Sequence, residues 1–202
     1  MTHMSTNLAA LIGSRICHDL ISPIGAINNG MELISMTGGS ASPEMTLISE
    51  SVDAANARIR FFRIAYGEPS ESQHIARAEI VTILRDIFRG SRLRVHWEPL
   101  EDITRSEVQI AFLALQCAEK AMPYGGALTI TRADGRWELD MEAERLNLGD
   151  ALWGAMQAGP QGDAQTPVIP ADVQFLLLPM HAANLGRSVT LHQGPTRACL
   201  TV

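Results

Sequence analysis

Residues 15–30 read RICHDLISPIGAINNG and place a histidine, His18, directly before an aspartate, Asp19. Histidine titrates near neutral pH, so it can act as a base, a metal ligand or a nucleophile. Pro23 follows inside an apolar-periodic stretch, where a proline bends or ends a helix. The segment therefore fits three descriptions: the edge of a metal site, a catalytic helix, or a core helix with an internal proline.

The helical positions of the neighbouring residues show which side of the helix His18 occupies. Each residue advances about 100° around a helix. Three small or polar residues, Ser22, Gly25 and Asn29, fall within about 40° of His18. The apolar residues of the segment lie on the opposite side: Ile12, Ile16, Leu20, Pro23, Ile27 and Ile34. His18 therefore heads an outward polar strip and does not face the core.

The residue types near His18 limit the chemistry of this strip. A helical metal site needs a second ligand three or four residues away, and neither Arg15 nor Ser22 is a good one. A serine hydrolase would place Ser22 on a strained turn, which a long helix does not provide. No metal site is predicted here.

A nucleophile that accepts a phosphoryl group fits the strip better. A neutral imidazole can attack phosphorus while the adjacent Asp19 orients the ring and accepts its other proton. Ser22 and Gly25 leave room for the donor. Pro23 cannot donate to the carbonyl of Asp19, which predicts a bend one turn beyond His18. The alternative is that His18 is an ordinary surface residue.

Two long helices are predicted to carry this strip. Apolar periodicity predicts a first helix from Asn7 to Met36. The segment TGGSASPE then supplies a stop and a restart, with Ser42 as N-cap, Pro43 as first helical residue and Glu44 in the first turn. The second helix has a seam with steps of three and four: Met45, Ile48, Val52, Ala55, Ile59, Phe62 and Tyr66.

The two helices should form an antiparallel hairpin, which covers its apolar stripes incompletely. A second copy would complete a four-helix bundle, which predicts a homodimer. The alternative is that the rest of the chain covers the stripe.

A polar linker, GEPSESQ, divides the chain into predicted domains at 1–67 and 74–202. The second domain should be an α/β sandwich, an antiparallel-rich sheet with helices on one face, and the overall class is α+β. Thr104 and Glu107 match a capping box, and Asp134-Gly135 marks a hairpin turn. Helices are predicted at 75–89, 104–122, 149–158 and 171–185, strands at 93–100, 127–133, 136–144, 187–193 and 196–202, and a loop at 159–170.

Composition narrows the function classes. The 202 residues are 46% hydrophobic and 19% charged, as in ordinary globular proteins. The net charge of −6 argues against a nucleic-acid partner, which would require a basic face. No apolar run is long enough for a membrane span, and no signal peptide is recognisable. Three separated cysteines, Cys17, Cys117 and Cys199, predict buried free thiols and a reducing cytoplasm.

At this point the motif HDLISPIGA resembles the phosphoacceptor box of sensor histidine kinases. The longer stretch RICHDLISPIGAINNGMELI resembles the ChpT-type histidine phosphotransferases of alphaproteobacteria more specifically. The resemblance implies that the hairpin is a dimerisation and histidine phosphotransfer domain. It also implies that the second domain is similar to a histidine-kinase ATP-binding domain.

The nucleotide motifs of that domain are incomplete. LALQCAEKAMPYGGALTI resembles the asparagine-containing helix and the following strand, but Cys117 stands at the position of the metal-binding asparagine. Neither LNLGDALWGAM nor GPQGDAQTP fits the glycine-rich nucleotide box. A magnesium–ATP site needs a hard oxygen ligand and a glycine loop, so no nucleotide site is predicted.

The resemblance implies a phosphorelay protein that moves a phosphoryl group between receiver-domain aspartates through His18, with Asp19 as its helper. No cofactor should bind tightly, and Mg²⁺ should come from the receiver. The implied partners are a CckA-like hybrid histidine kinase and CtrA-like and CpdR-like response regulators, which places the chain in cell-cycle regulation.

The predicted receiver-binding surface comprises Leu11, Arg15, Ile21, Ser22, Gly25, Asn28 and Asn29. For Leu11 and Ile21, packing against the second helix is an equal alternative. Two other functions remain open for the whole chain: an active sensor kinase with a divergent ATP site, and a non-catalytic dimeric scaffold.

Overall fold

The computed structural model describes residues 2–37, 43–149, 151–159 and 168–202. Helix α1 spans Thr2–Thr37 and helix α2 spans Pro43–Ala65, and the two pack as a hairpin. Pro43 opens α2 and Glu44 lies in its first turn, as predicted. The predicted N-cap Ser42 lies outside the described residues. Helix α1 begins five residues earlier than predicted, and Pro23 lies buried inside it without ending it.

The remaining elements form the α/β part of the chain. Its helices are α3 (Arg77–Ile87), α4 (Arg105–Ala121), α5 (Ala151–Ala158) and α6 (Gln174–Asn184), with a 3-10 turn at Pro170–Asp172. Its strands are β1 (His74–Ile75), β2 (Leu93–Trp97), β3 (Ile103–Thr104), β4 (Gly126–Ala133), β5 (Arg136–Glu142), β6 (Thr190–Gln193) and β7 (Arg197–Thr201). The prediction of one helix over 171–185 is therefore wrong at its start, where the 3-10 turn precedes α6.

Five strands form one mixed sheet in the order β2-β4-β5-β7-β6. β2 runs parallel to β4 and the other pairs are antiparallel, so the prediction of an antiparallel-rich sheet is confirmed. Asp134 and Gly135 both have positive φ at the turn between β4 and β5, which is the geometry of the predicted tight hairpin. β1 and β3 form a separate two-residue ladder that the sequence analysis did not predict.

The core is continuous from the sheet to the base of the hairpin. Apolar residues on one side of β4 and β5 pack under α4, and Phe112 of α4 stacks on Phe61 of α2 with ring centroids 4.5 Å apart. Arg60 of α2 is paired with Asp86 of α3 at 2.9 Å. The C-terminal end of α2 is therefore fixed to the α/β part. Because α1 packs against α2, this also fixes the position of the outward face of α1.

The predicted capping box at α4 is wrong. Thr104 precedes the helix but its hydroxyl makes no cap, and Glu107 points into the core. Its carboxylate accepts hydrogen bonds from Trp137 Nε1 at 2.8 Å and from Arg187 Nη1 at 3.0 Å. Burial alone would raise the pKa of Glu107, but these hydrogen bonds and the charges of Arg187 and Arg132 lower it overall. Long-range pairing therefore outweighs the local cap.

The cysteines are free thiols in three different environments. Cys117 is buried in α4, as expected. Cys17 is exposed on α1 and Cys199 is half-exposed on β7, so the prediction that all three are buried is wrong. The apolar neighbours in the sequence misled the prediction because neighbouring residues on a helix or strand point in different directions.

Candidate functional site

His18 projects from the outward face of α1, and its side chain is 80% exposed. Its Nδ1 lies 3.0 Å from Asp19 Oδ1, within hydrogen-bond distance. When Nδ1 carries the proton and donates to the carboxylate, Nε2 keeps its lone pair for attack on an electrophile. The pair therefore has the geometry of an oriented, accessible imidazole nucleophile.

The second oxygen of Asp19 is also held. Arg15, one turn earlier on α1, donates from Nε to Asp19 Oδ2 at 2.9 Å. The same guanidinium donates from Nη1 to the backbone carbonyl of Ala171 at 2.5 Å. Asp19 is 20% exposed and Arg15 16%, so the carboxylate is shielded while His18 is not.

A cleft of about 510 Å³ opens beside His18 and Asp19. Its walls come from α1, the C-terminal half of α2, the turn after α3, and α4. Among the residues that line it are Ser22, Arg58, Phe88, Arg89, Gln116 and Glu119. The last four belong to the predicted second domain, and sequence reasoning missed them. No local pattern marks them, because tertiary packing brings α4 and the α3–β2 turn to α1.

The charges in the cleft are mixed. Burial in the cleft raises the pKa of Glu119, although its side chain keeps contact with solvent, while Arg15 and Arg58 lower it and Asp19 raises it. Tyr66 donates its hydroxyl at 2.5 Å to Oε1 of Gln116, which lines the cleft. Burial raises the pKa of Tyr66 above its ordinary value.

The structure divides the predicted receiver surface into two groups. Ile21 is 67% exposed, so the alternative of packing against α2 does not hold for it. Ser22, Asn28 and Asn29 are exposed and Gly25 is half-buried, all on the side of His18.

Two other members of that predicted surface are engaged within the chain. Leu11 is half-buried and packs against the hydrophobic core of the chain. Arg15 uses its guanidinium for Asp19 and Ala171.

Two positions, Asp19 and Cys117, bear on the question of magnesium and nucleotide binding. Both oxygens of Asp19 are engaged by protein donors at 2.9 and 3.0 Å. Cys117, which the resemblance places at the kinase asparagine, is 0% exposed, and sulfur is a poor ligand for magnesium. Within the described ranges of the chain, no group of three or more metal-ligating side chains comes together.

The described helices were also compared with the length and apolarity that a bilayer requires. None of those in the ranges given above could cross a membrane.

Comparisons with known proteins identify the family of the chain. The profile of the histidine phosphotransferase C-terminal domain matches residues 77–197. The chain is 36% identical over 198 residues to the protein phosphotransferase ChpT of Brucella abortus (strain 2308), and the match covers 95% of this chain and 93% of that one.

Among solved structures, a bacterial phosphotransferase determined at 1.7 Å matches with a TM-score of 0.79 and 28% identity. That match covers 97% of this chain and 95% of the other. A more distant match, with a TM-score of 0.44 and 10% identity, is the Acinetobacter baumannii histidine kinase AdeS. The chain therefore belongs to the histidine phosphotransferase family that includes the ChpT protein of Brucella abortus.

Proposed function

We propose that this histidine phosphotransferase carries its phosphoryl group on His18 and exchanges it with receiver-domain aspartates. The observation that carries the proposal is the pairing of an 80% exposed imidazole with a shielded carboxylate at 3.0 Å. Phosphoryl transfer depends mainly on positioning and charge stabilisation, and a rigid helix that presents an oriented ring to a receiver meets this need.

The chemistry of the step follows from this geometry. His18 Nε2 attacks the phosphorus of an aspartyl phosphate, and the bond from phosphorus to the receiver carboxylate oxygen breaks. The electron pair of that bond remains on the receiver carboxylate. The proton on Nδ1 stays shared with Asp19, which stabilises the positive charge of the phosphorylated ring. Transfer to a second receiver reverses these changes.

ATP does not enter this scheme, and the magnesium ion is expected on the receiver. The fully buried Cys117 and the engaged oxygens of Asp19 support this part of the proposal. The exposed side chains of Ile21, Ser22, Asn28 and Asn29, together with Gly25, form the proposed docking surface.

The partners we propose are a CckA-like hybrid kinase upstream and CtrA-like and CpdR-like regulators downstream, in the cytoplasm and in control of the cell cycle. The relationship to the Brucella abortus phosphotransferase and the motif around His18 support these partners. We also propose that the chain works as a homodimer through a four-helix bundle, which the uncovered apolar residues of α1 and α2 support.

A transfer assay tests the site and separates the alternatives. The purified chain is mixed with magnesium and a ³²P-labelled receiver from a hybrid kinase, or with labelled ATP alone. We expect label from the receiver and none from ATP. An active kinase would take label from ATP, and a scaffold would take none from either donor.

Three variants assign the acceptor in the same assay. His18→Gln should abolish labelling, and His96→Gln, which changes an exposed histidine on β2, should leave it unchanged. Asp19→Asn should slow transfer by roughly a hundredfold, since the amide oxygen can still accept a hydrogen bond from Nδ1 but carries no negative charge to stabilise the phosphorylated ring. Labelling of His18→Gln at the normal rate would show that another residue is the acceptor.

A further inference from the structure

Arg15 is the link between the phosphoacceptor pair and the α/β part of the chain. One arm of its guanidinium donates to Asp19 Oδ2 at 2.9 Å. Another arm donates to the carbonyl of Ala171 at 2.5 Å, although Ala171 is 156 residues away in the sequence. A guanidinium presents several donors in a fixed plane, so anchoring one arm restricts where the other can point.

The anchor itself is held in place. Ala171 is the central residue of the 3-10 turn Pro170–Asp172. The next residue, Asp172, is buried and pairs with Lys120, the single lysine of the chain, at 2.8 Å. Lys120 lies in the last turn of α4, which is the central core helix. The Ala171 carbonyl is thus fixed to the core of the α/β part.

We propose that Arg15 is a positioning residue, anchored on the Ala171 carbonyl, that holds Asp19 in the orientation that directs His18. Because Arg15 occupies Oδ2, the other oxygen, Oδ1, is left facing His18 Nδ1 at 3.0 Å. The α/β part then contributes to phosphoryl transfer because its Ala171 carbonyl fixes Arg15, and Arg15 fixes Asp19. This inference rests on the proposed role of His18.

The competing interpretation is that Arg15 contacts the receiver directly, as the sequence suggested. Its side chain is only 16% exposed and two of its arms are engaged within the chain. A receiver contact would need the guanidinium to leave Asp19 or Ala171. The geometry therefore favours a residue that acts through Asp19.

A double-mutant cycle distinguishes the two interpretations. Transfer rates from a phosphorylated receiver are measured for Arg15→Gln, Asp19→Ala and the double variant, with Arg197→Gln as a control for loss of an arginine on the distant sheet. We expect Arg15→Gln to slow transfer by about tenfold, because Asp19 would no longer be held in the position that orients the His18 ring. The double variant should be no slower than Asp19→Ala, since residues that act as one unit are not additive.

Nitrogen NMR of His18 gives a readout that a purely structural role would not move. In the unaltered chain we expect the proton on Nδ1, and Arg15→Gln should lower the population of that tautomer while the fold is retained. Arg15→Lys keeps the charge but not the two-armed geometry, and we expect it to slow transfer as well. The Arg15→Lys variant also tests the proposal if Arg15→Gln folds poorly.

Two results would overturn the inference. One is a double variant slowed by the product of the two single effects, which would mean that Arg15 acts independently of Asp19. The other is an unchanged tautomer in Arg15→Gln and Arg15→Lys alongside slowed transfer. Failure of the proposed function looks different, because His18→Gln would then still accept the phosphoryl group.

Discussion

Cys117 shows at the scale of one residue how the core of the α/β part uses a position whose sequence context resembles a kinase nucleotide motif. The resemblance places it at the metal-binding asparagine of that motif, and in the structure it is completely buried in α4. Burial raises the pKa of its thiol well above the ordinary value, and the nearby charge of Asp172 adds to this. A neutral, enclosed thiol packs as a small apolar group. Cys117 is therefore part of the core.

Replacing this thiol with the kinase residue should not restore nucleotide binding. Cys117→Asn would bury an amide among apolar groups, and we expect it to lower the free energy of unfolding by about 1–3 kcal/mol. Urea unfolding measures the loss, and titration with a fluorescent ATP analogue measures binding. Cys17→Asn is the matched control, because Cys17 is exposed on a helix. Cysteine and asparagine have similar helix propensities, so the change itself should cost little there.

The control should stay within about 0.5 kcal/mol of the unaltered chain. If Cys117→Asn bound the ATP analogue with undiminished stability, the α/β part would still contain a usable nucleotide pocket, and the interpretation of Cys117 as core would be wrong.

For individual residues, contacts within one helical turn could be predicted from the sequence, and contacts between distant segments could not. His18 and Asp19 are neighbours, so their contact could be anticipated. Arg15 could be placed near His18 by helical angle, but its anchor at Ala171 has no local signal. Glu107 matched a capping pattern, yet Trp137 and Arg187, 30 and 80 residues away, hold its carboxylate.

Three glycines of α1 show how one helix meets different surroundings. A methyl group added at Gly13 or Gly25 would meet no other atom within 4 Å. At Gly30 the same methyl group would lie 2.6 Å from Ile48 Cγ1 on α2. Gly30 is therefore required for the close approach of the two helices, whereas Gly13 and Gly25 are not required by packing within the chain.

Alanine at these positions should separate helix stability from receiver docking. Gly13→Ala and Gly25→Ala should each raise the free energy of unfolding by roughly 0.5–1 kcal/mol, since alanine favours the helix. Gly30→Ala should be less stable than either, because overpacking costs about 1–3 kcal/mol. Thermal unfolding followed by circular dichroism measures all three.

Transfer rates of the same variants test the docking surface. Gly25→Ala should slow transfer from a phosphorylated receiver because the added methyl group lies two turns from His18 on the same face of α1, within the proposed docking surface, and Gly13→Ala should not. Equal rates for these two variants would remove Gly25 from the docking surface, and equal stability of Gly30→Ala and Gly13→Ala would contradict the close helix contact.

Elements with strong local signals could be predicted, and short ones could not. Pro43 marked the start of α2, and Asp134-Gly135 marked the β4–β5 turn. The ladder of β1 and β3 is two residues long on each side, too short for a periodic pattern. Its strands pair because the chain brings His74 beside Thr104, and only the folded structure shows this.

At the scale of the whole molecule, the seam of α2 has two apolar columns with different environments. Ala55 and Phe62 belong to the column that is buried within the chain. The other column, Met45, Val52 and Ile59, repeats every seven residues and is exposed, as are Ile24 and Met31 on α1. A coiled-coil seam normally buries both columns. The exposed column therefore supports the proposed pairing of two hairpins.

This pairing would leave the outward polar strip headed by His18 uncovered. Ile24 and Met31 lie about 120–140° around α1 from His18, so a partner covering them does not cover the imidazole. Each protomer of the proposed dimer would then present its own His18 to a receiver. Monomeric variants with an intact fold should accordingly keep His18 accessible.

Charges placed in the exposed column should dissociate the proposed dimer. In the double variant Val52→Glu/Ile59→Glu, four carboxylates would lie at the interface of the two copies, and burying unpaired charges is strongly unfavourable. We expect sedimentation equilibrium to give the mass of two chains for the unaltered protein and of one chain for the variant.

Leu100→Glu is the control for this experiment, because Leu100 is 79% exposed in the segment between β2 and β3 and belongs to neither α1 nor α2. It should keep the mass of the unaltered protein. A single-chain mass for the unaltered protein at micromolar concentration would contradict the four-helix bundle, and the exposed column would then need a different partner. If the double variant stays dimeric, the interface lies elsewhere, because buried carboxylates in this column could not be tolerated.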